Sequence, residues 1–344
     1  MAVKSPSTKA KAWILFDHIV DRAAPNGEHS NPWRIGPDEQ VRFEPDFQTL
    51  EKLLGVPLYL KAETQSGVPA LALDVWLSYE LRRAGFDLDQ VWPRPVHPRI
   101  LPAPIAALLK LLPKDKGIRA GVMNFVNTQP SIRGVTSASA SILGKNYLKQ
   151  VDVIMTDWAT GPELLISTKR MDSSYGKNAP NRVEESYGDA KNLRLRHPLA
   201  ALGFVFGLRS DILQKEPAVA EWLFDLLAKL GLEDDAYHAT CLVLMDYADN
   251  VAIANSGEEV PTEGVPELGV ESGHEEDIAE PEPDSSLDRE ISQLPNVSIL
   301  KERIPDELRP GRFLAAMILR VLRATPVNMH KEARRRRAHP VQHE

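Results

Sequence analysis

The chain has 344 residues, 43% of them hydrophobic, a formal net charge of −7 and one cysteine, Cys241. That length sustains one large domain with extensions or two domains, and a lone cysteine excludes a disulfide framework and a cysteine-based zinc site, as expected of a reducing cytoplasm. No apolar run approaches the ~18 residues of a membrane span, and the N-terminal segment lacks the apolar stretch of a secretory signal.

The charge is unevenly spread. Residues 256–290 hold thirteen acids and one base, Arg289, giving that stretch −12 and leaving +5 on the remainder. A mildly basic body of this kind can bind polyanions where its bases cluster.

In chain order, residues 1–10 are polar, basic and expected to fray. Residues 12–20 form a short apolar element, and 23–46 read as loop from their Pro, Gly, Asn and Asp content. A helix is expected over 46–54. Another is expected over 69–84, with Leu73, Trp76, Leu77, Leu81 and Ala84 on one side and Gly85 as its stop. Val91-Trp92-Pro93-Arg94-Pro95 demands extended or turn backbone. Residues 100–112 read as helix, 122–126 as a strand and 137–150 as a helix. Residues 199–208 read as a buried apolar helix and 217–230 as an amphipathic one. Residues 238–247 are ambiguous between strand and helix. The acidic tract from 255 to about 290 is expected to be disordered, 297–300 to be a strand and 310–322 a helix. The tail with Arg334-Arg335-Arg336-Arg337 is expected to be mobile, a run of bases able to grip DNA.

The chemistry concentrates in residues 151–209. Val151-Asp152-Val153-Ile154-Met155 reads as a strand with one acid in an apolar run. Thr160-Gly161-Pro162 is the turn, and residues 163–169 return as a strand ending in Ser167-Thr168-Lys169. Antiparallel pairing centred near Ala159 or Thr160 sets Asp152 opposite Ser167 or Thr168, with Lys169 on the face of Ser167. Asp157 then lies opposite Glu163, near the turn. Cross-strand neighbours are about 5 Å apart, close enough to share one metal ion. Mg²⁺ prefers carboxylate oxygens and activates water for hydrolysis, and a lysine beside it stabilises charge on a phosphate.

These residues resemble the PD-(D/E)xK nucleases, which include many restriction endonucleases. That family's core is an acid on one strand and an acid-x-lysine on the next. Here the second motif reads Ser167-Thr168-Lys169, with serine in the acid's usual place. A subset of restriction enzymes shares this Ser-x-Lys arrangement and takes its second acid from the following helix. Glu184 and Glu185 stand at nearly that spacing, fifteen and sixteen residues after Lys169. The resemblance covers residues 137–210. It implies an α/β fold in which a mixed central sheet, flanked by helices, forms a restriction-endonuclease-like core with helical extensions. It also implies Mg²⁺-dependent cleavage of double-stranded DNA, a homodimer that cuts both strands, and a possible cognate methyltransferase. Asp152 and Glu185 would hold the metal, with Glu184 as a substitute. Lys169 would orient the water, and Ser167 would support them. Asp157 and Glu163 are an alternative metal pair. A catalytically inactive nucleic-acid-binding subunit, or an interaction protein of a bacterial defence system, is the competing reading.

Bases gather after the motif. Arg170, Lys177, Arg182, Lys191 and Arg194, with Ser173, Ser174 and Asn178, are candidate phosphate contacts. Gly144-Lys145 lacks the spacing and Ser/Thr of a P-loop, the histidines show no HExxH, and Ser167 has no nucleophile elbow. Glu80 is a candidate extra acid from an early helix, though a surface or capping role is favoured for it. The expected domains are a largely helical region at 1–120, the nuclease core at 121–254, an acidic linker at 255–292, and a helical segment with basic tail at 293–344.

Overall fold

The computed structural model describes residues 6–113, 117–128, 140–251 and 282–342. The chain begins with α1 (Thr8–Ala23), strands β1 (Trp33–Ile35) and β2 (Val41–Phe43), then α2 (Phe47–Tyr59) and α3 (Val68–Arg83). Strand β3 (Val91–Trp92) and the helices α4 (Ala103–Leu111) and α5 (Ile118–Thr128) follow. Two hairpins come next, β4 (Ala140–Leu143) with β5 (Leu148–Val151) and β6 (Val153–Asp157) with β7 (Gly161–Met171). Helix α6 (Tyr175–Arg196), strand β8 (Ala201–Arg209), helices α7 (Ile212–Lys215) and α8 (Pro217–Leu230) and strand β9 (Ala239–Asp246) complete the central part. After it lie α9 (Asp284–Ser292), β10 (Ser298–Ile299), α10 (Pro310–Ala324), α11 (Lys331–Ala338) and β11 (Val341–Gln342).

The result is an α/β fold with a mixed central sheet flanked by helices. Its six strands run in the order β10-β9-β8-β7-β6-β3. β7, β8 and β9 are mutually parallel, and β3, β6 and β10 join antiparallel. All nine residues of β8 are buried. A parallel strand covered on both faces reads as an unbroken apolar run, which is why residues 199–208 mimic a buried helix and form a strand. Phe204 and Phe206 on one face are fully buried, each contributing about 1.5–3 kcal/mol relative to exposure. On the other face a Cβ at Gly203 would lie 2.7 Å from Phe313 of α10, and one at Gly207 would lie 3.0 Å from Leu73 of α3. The two glycines therefore let those helices approach the sheet.

Other expectations need correction. Residues 122–126 lie within α5, where Met123 and Val126 turn inward while Val122 and Phe125 stay exposed, a period of three rather than two. The residues read as a helix over 137–150 form the β4–β5 hairpin, with 137–139 outside the described residues. A serine-rich stretch has weak helix propensity, and the Gly144-Lys145-Asn146 turn closes a four-pair antiparallel ladder. The expected loop at 23–46 contains β1 and β2, and α1 begins within the segment expected to fray, where Ser7 caps its Ala10 amide.

The acidic tract also differs where it is described. Residues 252–281 lie outside the described residues, but 284–292 form α9 rather than disordered chain. Leu287 is buried, and the acids meet the basic side of α1: Lys11 lies 2.9 Å from Glu290, and Arg22 lies 2.7 Å from Asp288. The arginine run is helix α11 rather than a mobile tail. Arg334 donates to the carbonyls of Leu322, Thr325 and Met329 near the end of α10, and Arg336 donates to those of Arg83 and His29. Such bonds satisfy helix-terminal carbonyls that otherwise lack partners. Among the described residues no helix is long and apolar enough to cross a membrane.

Candidate active site

Strand alternation sorts the side chains of β7 onto two faces. Thr168 and Arg170 point toward α3, where they reach Asp74 and the Pro69 carbonyl. Ser167 and Lys169 point toward α6. Asp152 occupies the break between β5 and β6, at the meeting point of both faces. Its Oδ2 accepts the Thr168 amide at 2.7 Å, while the Thr168 hydroxyl donates to Asp74 Oδ1 at 2.6 Å. One threonine thus bridges a buried carboxylate, Asp74, and a half-buried one, Asp152.

The charge of Lys9 acts on Asp74, and those of Lys169 and Lys149 act on Asp152. Burial, and secondarily the negative charge of Asp152, holds the Asp74 carboxyl well above the usual range. Burial also raises Asp152, against the opposing pull of the Thr168 amide and of Lys169 and Lys149. Like charges brought together in a desolvated site disfavour joint ionisation. A bound cation would relieve this.

The α6 side is rich in cations. Lys169 Nζ lies 3.3 Å from Glu185 Oε1, Lys149 Nζ lies 3.6 Å from the same oxygen, and Arg182 lies 3.7 Å from Oε2. Burial raises the Glu185 carboxyl, but these three charges outweigh it and bring it below its ordinary value. Lys149 also lies 2.5 Å from Asp189, which accepts the Tyr147 hydroxyl at 3.1 Å. Burial and then the Asp189 charge push that phenol up to about 12. Ser167 hydrogen-bonds the Tyr237 hydroxyl, which itself donates to the Ser186 carbonyl at 2.9 Å. Ser167 therefore ties β7 to α6.

The structure brings Asp152, Lys169 and Glu185 to one end of the β6–β7 hairpin. The β6–β7 ladder begins at Val153↔Ile166, and Asp152, just before β6 rather than inside a strand over 151–155, meets the Thr168 amide through its side chain. Glu184 and Glu185 are both exposed on α6, and Glu185 is the one that faces Lys169. Asp157 and Glu163 lie near the other end of the hairpin, roughly 17 Å along β6 at ~3.4 Å per residue. A register shift between Met155 and Thr156 pairs Asp157 with Gly161 rather than Glu163. Asp157 accepts from Gln90 at 2.8 Å, and Glu163 turns inward, 2.8 Å from His330 Nε2.

The candidate phosphate contacts divide as well. Arg170 is buried in a bidentate pair with Asp172, Arg194 donates to the Ala236 carbonyl, and Lys191 pairs with Asp235 at 3.0 Å. Ser174 and Lys177 are exposed at the start of α6, and Ser173, Asn178 and Arg182 are half-buried. Glu80 is fully buried, accepting the Asp46 amide at 2.6 Å and pairing with Arg83 at 2.7 Å. Burial raises its carboxyl to about 7.

Sequence reasoning missed Asp74, Lys149, Asp189 and Tyr237. A signal existed for Asp74, a lone acid on the apolar face of a helix (Leu73-Asp74-Val75). None existed for Lys149, which sits in the stretch read as helix.

Among the described residues no three His, Cys, Asp or Glu side chains are grouped to hold a metal ion unaided. Mg²⁺ commonly uses one or two carboxylates, completing its shell with water and substrate phosphate. Half-buried Asp152, joined to Asp74 through Thr168, and Glu185 beside Lys169 suit it in donor type. No protein-family model, curated protein or solved structure matches the chain.

Proposed function

We propose that this chain is a Mg²⁺-dependent endodeoxyribonuclease of restriction type, acting on double-stranded DNA. The observation that carries the reading is the convergence of Asp152, Lys169 and Glu185 where two strands and a helix meet. The Asp152 and Glu185 carboxylates are the groups that would hold the cation, with Asp74 joined to Asp152 through Thr168. The cation would supply Lewis acidity toward the phosphate and a lowered pKa for water. Lys169 Nζ orients the attacking water and offsets charge gathering on the phosphate oxygens. The Thr168 amide holds Asp152 in place, and the Ser167–Tyr237 bond fixes β7 against α6, so the reacting groups are pre-positioned. Cutting both strands implies two copies acting together.

One observation favours a second reading, a DNA-binding subunit that does not cleave. Ser167 replaces an acid and is committed to Tyr237, and both lysines already pair with the acids of α6. Purified protein with supercoiled plasmid and Mg²⁺ separates the two. The nuclease reading expects nicked and linear DNA, abolished by chelator and reduced at least ~100-fold in Lys169→Ala. Binding without cleavage supports the second reading, and absence of both refutes each.

A further inference from the structure

The β4–β5 hairpin is not hydrogen-bonded into the six-stranded sheet. It forms its own two-stranded ladder, pairing Ser141 with Gln150 and Ile142 with Lys149. Between Ala140 and Val151 there is no acid, and there are two lysines. Its two faces differ. On the inner face Ile142 packs against the core, and Lys149 reaches Asp189 and Glu185. On the outer face Ser141 and Gln150 are exposed, as are Lys145 and Asn146 at the tip.

The tip is clamped onto α6. Asn192, 2% exposed, accepts the Asn146 amide at 2.9 Å and the Tyr147 amide at 3.3 Å through Oδ1, and donates Nδ2 to the Tyr147 carbonyl at 3.0 Å. The Lys145 amide donates to the Asn192 carbonyl at 2.8 Å. A Cβ at Gly144 would fall 2.1 Å from Asn192 Nδ2, so only glycine permits this approach. The ribbon is therefore held against the helix that carries Glu185, and it runs through Val151 directly into Asp152.

We propose that the outer face and tip of the β4–β5 hairpin, Ser141, Lys145, Asn146 and Gln150, form a DNA-reading element that enters a groove beside the scissile phosphate. This inference rests on the nuclease reading. A two-stranded ribbon fits the major groove of B-DNA, about 12 Å wide. Asn and Gln carry the paired donor and acceptor that match adenine there, and Lys serves phosphate or guanine. An acid-free, lysine-bearing ribbon complements the polyanion. Its clamp supplies the rigidity that reading a base edge requires.

The test compares the full-length parent with the triple variant Lys145→Ala/Asn146→Ala/Gln150→Ala, whose changes are all on exposed side chains. Circular dichroism and thermal melting should match the parent. Binding to a fluorescein-labelled duplex cut from a cleaved plasmid is measured by anisotropy across a salt series, and plasmid cleavage ends are mapped by sequencing. The proposal expects binding weaker by at least about tenfold, a salt slope smaller by about one, and a relaxed or altered set of cleavage ends. Unchanged affinity, slope and cut sites overturn the hairpin's role while leaving the nuclease reading standing if Lys169→Ala abolishes cutting. A parent that neither binds nor cuts plasmid overturns both. A parent that binds without cutting still tests the hairpin through affinity and slope.

Discussion

Two residues apart on one face of β7, the protein builds two buried polar groups in opposite ways. Arg170 meets Asp172 in a bidentate pair, Tyr247 donates to the same carboxylate, and Arg170 also reaches the Pro69 carbonyl. Charge and hydrogen-bonding capacity are matched there. Thr168, by contrast, joins two carboxylates, Asp74 and Asp152, and both hold their protons more tightly than usual. The first group anchors α3 to the sheet. The second sets two acids together, at a cost in stability, where a cation and a phosphate would come. A fold tolerates such a cost mainly at a site that does something.

The contrast can be broken most forcefully at the matched group. Arg170→Met leaves Asp172 buried without its partner, and chemical denaturation should show a loss of about 3–5 kcal/mol. A loss below about 1 kcal/mol would remove Arg170 as an anchor.

A second comparison lies on α6. Glu185→Gln should lower plasmid cleavage about 100-fold, close to 2.7 kcal/mol of transition-state stabilisation, whereas Glu184→Gln should stay within about threefold of the parent. Equal effects would mean that facing Lys169 does not distinguish the two glutamates.

Smaller is the effect expected at the hairpin clamp. Gly144→Ala forces Asn192 aside and strands the Asn146 and Tyr147 amides, a cost of about 1–3 kcal/mol. Hydrogen exchange should speed up in the hairpin while β8 stays protected.

Smallest and opposite in sign is Asp74→Asn. It should stabilise the protein modestly at neutral pH, because the amide keeps an acceptor for Thr168 and removes a like charge. The folded-state pKa of Asp74 is raised, so the parent's stability is fullest below the ordinary carboxylate value of about 4 and falls as pH rises through the folded value. The variant's advantage should therefore vanish in acid and grow toward neutrality. Melting temperatures of the two proteins across pH will show it. An advantage that persists unchanged at pH ~3 would mean that charge repulsion is not its cause.

Much of this was legible in local pattern. The helices α3, α8 and α10 follow from apolar periodicity, and the β6–β7 hairpin follows from two apolar runs around a break, although the turn is Trp158-Ala159-Thr160 rather than Thr160-Gly161-Pro162, whose last two residues already pair in β7. Period-two alternation with that break places Asp152 near Ser167 and Lys169 without any coordinates. Legibility failed wherever burial erased periodicity or a distant partner set the conformation. β8 is buried on both faces, so it carries no alternation. The β4–β5 turn depends on Asn192, forty-five residues beyond Tyr147. The arginine run is ordered by carbonyls of α10 and of the segments at His29 and Arg83.

What the sequence determined by itself was therefore the one-dimensional order of the chemistry: an acid in one strand, a lysine at the end of the next, and glutamates on the helix after it. Local backbone geometry converts that order into a face and a register. Tertiary structure alone decided that Glu185 rather than Glu184 reaches Lys169, that Asp157 and Glu163 part company across a register shift, and that Asp74 and Lys149 join the site. Those outcomes depend on how α3, α6 and the small hairpin pack against β7. Packing is settled by shape, buried charge and clamping bonds between residues far apart in the chain, which no local spacing records.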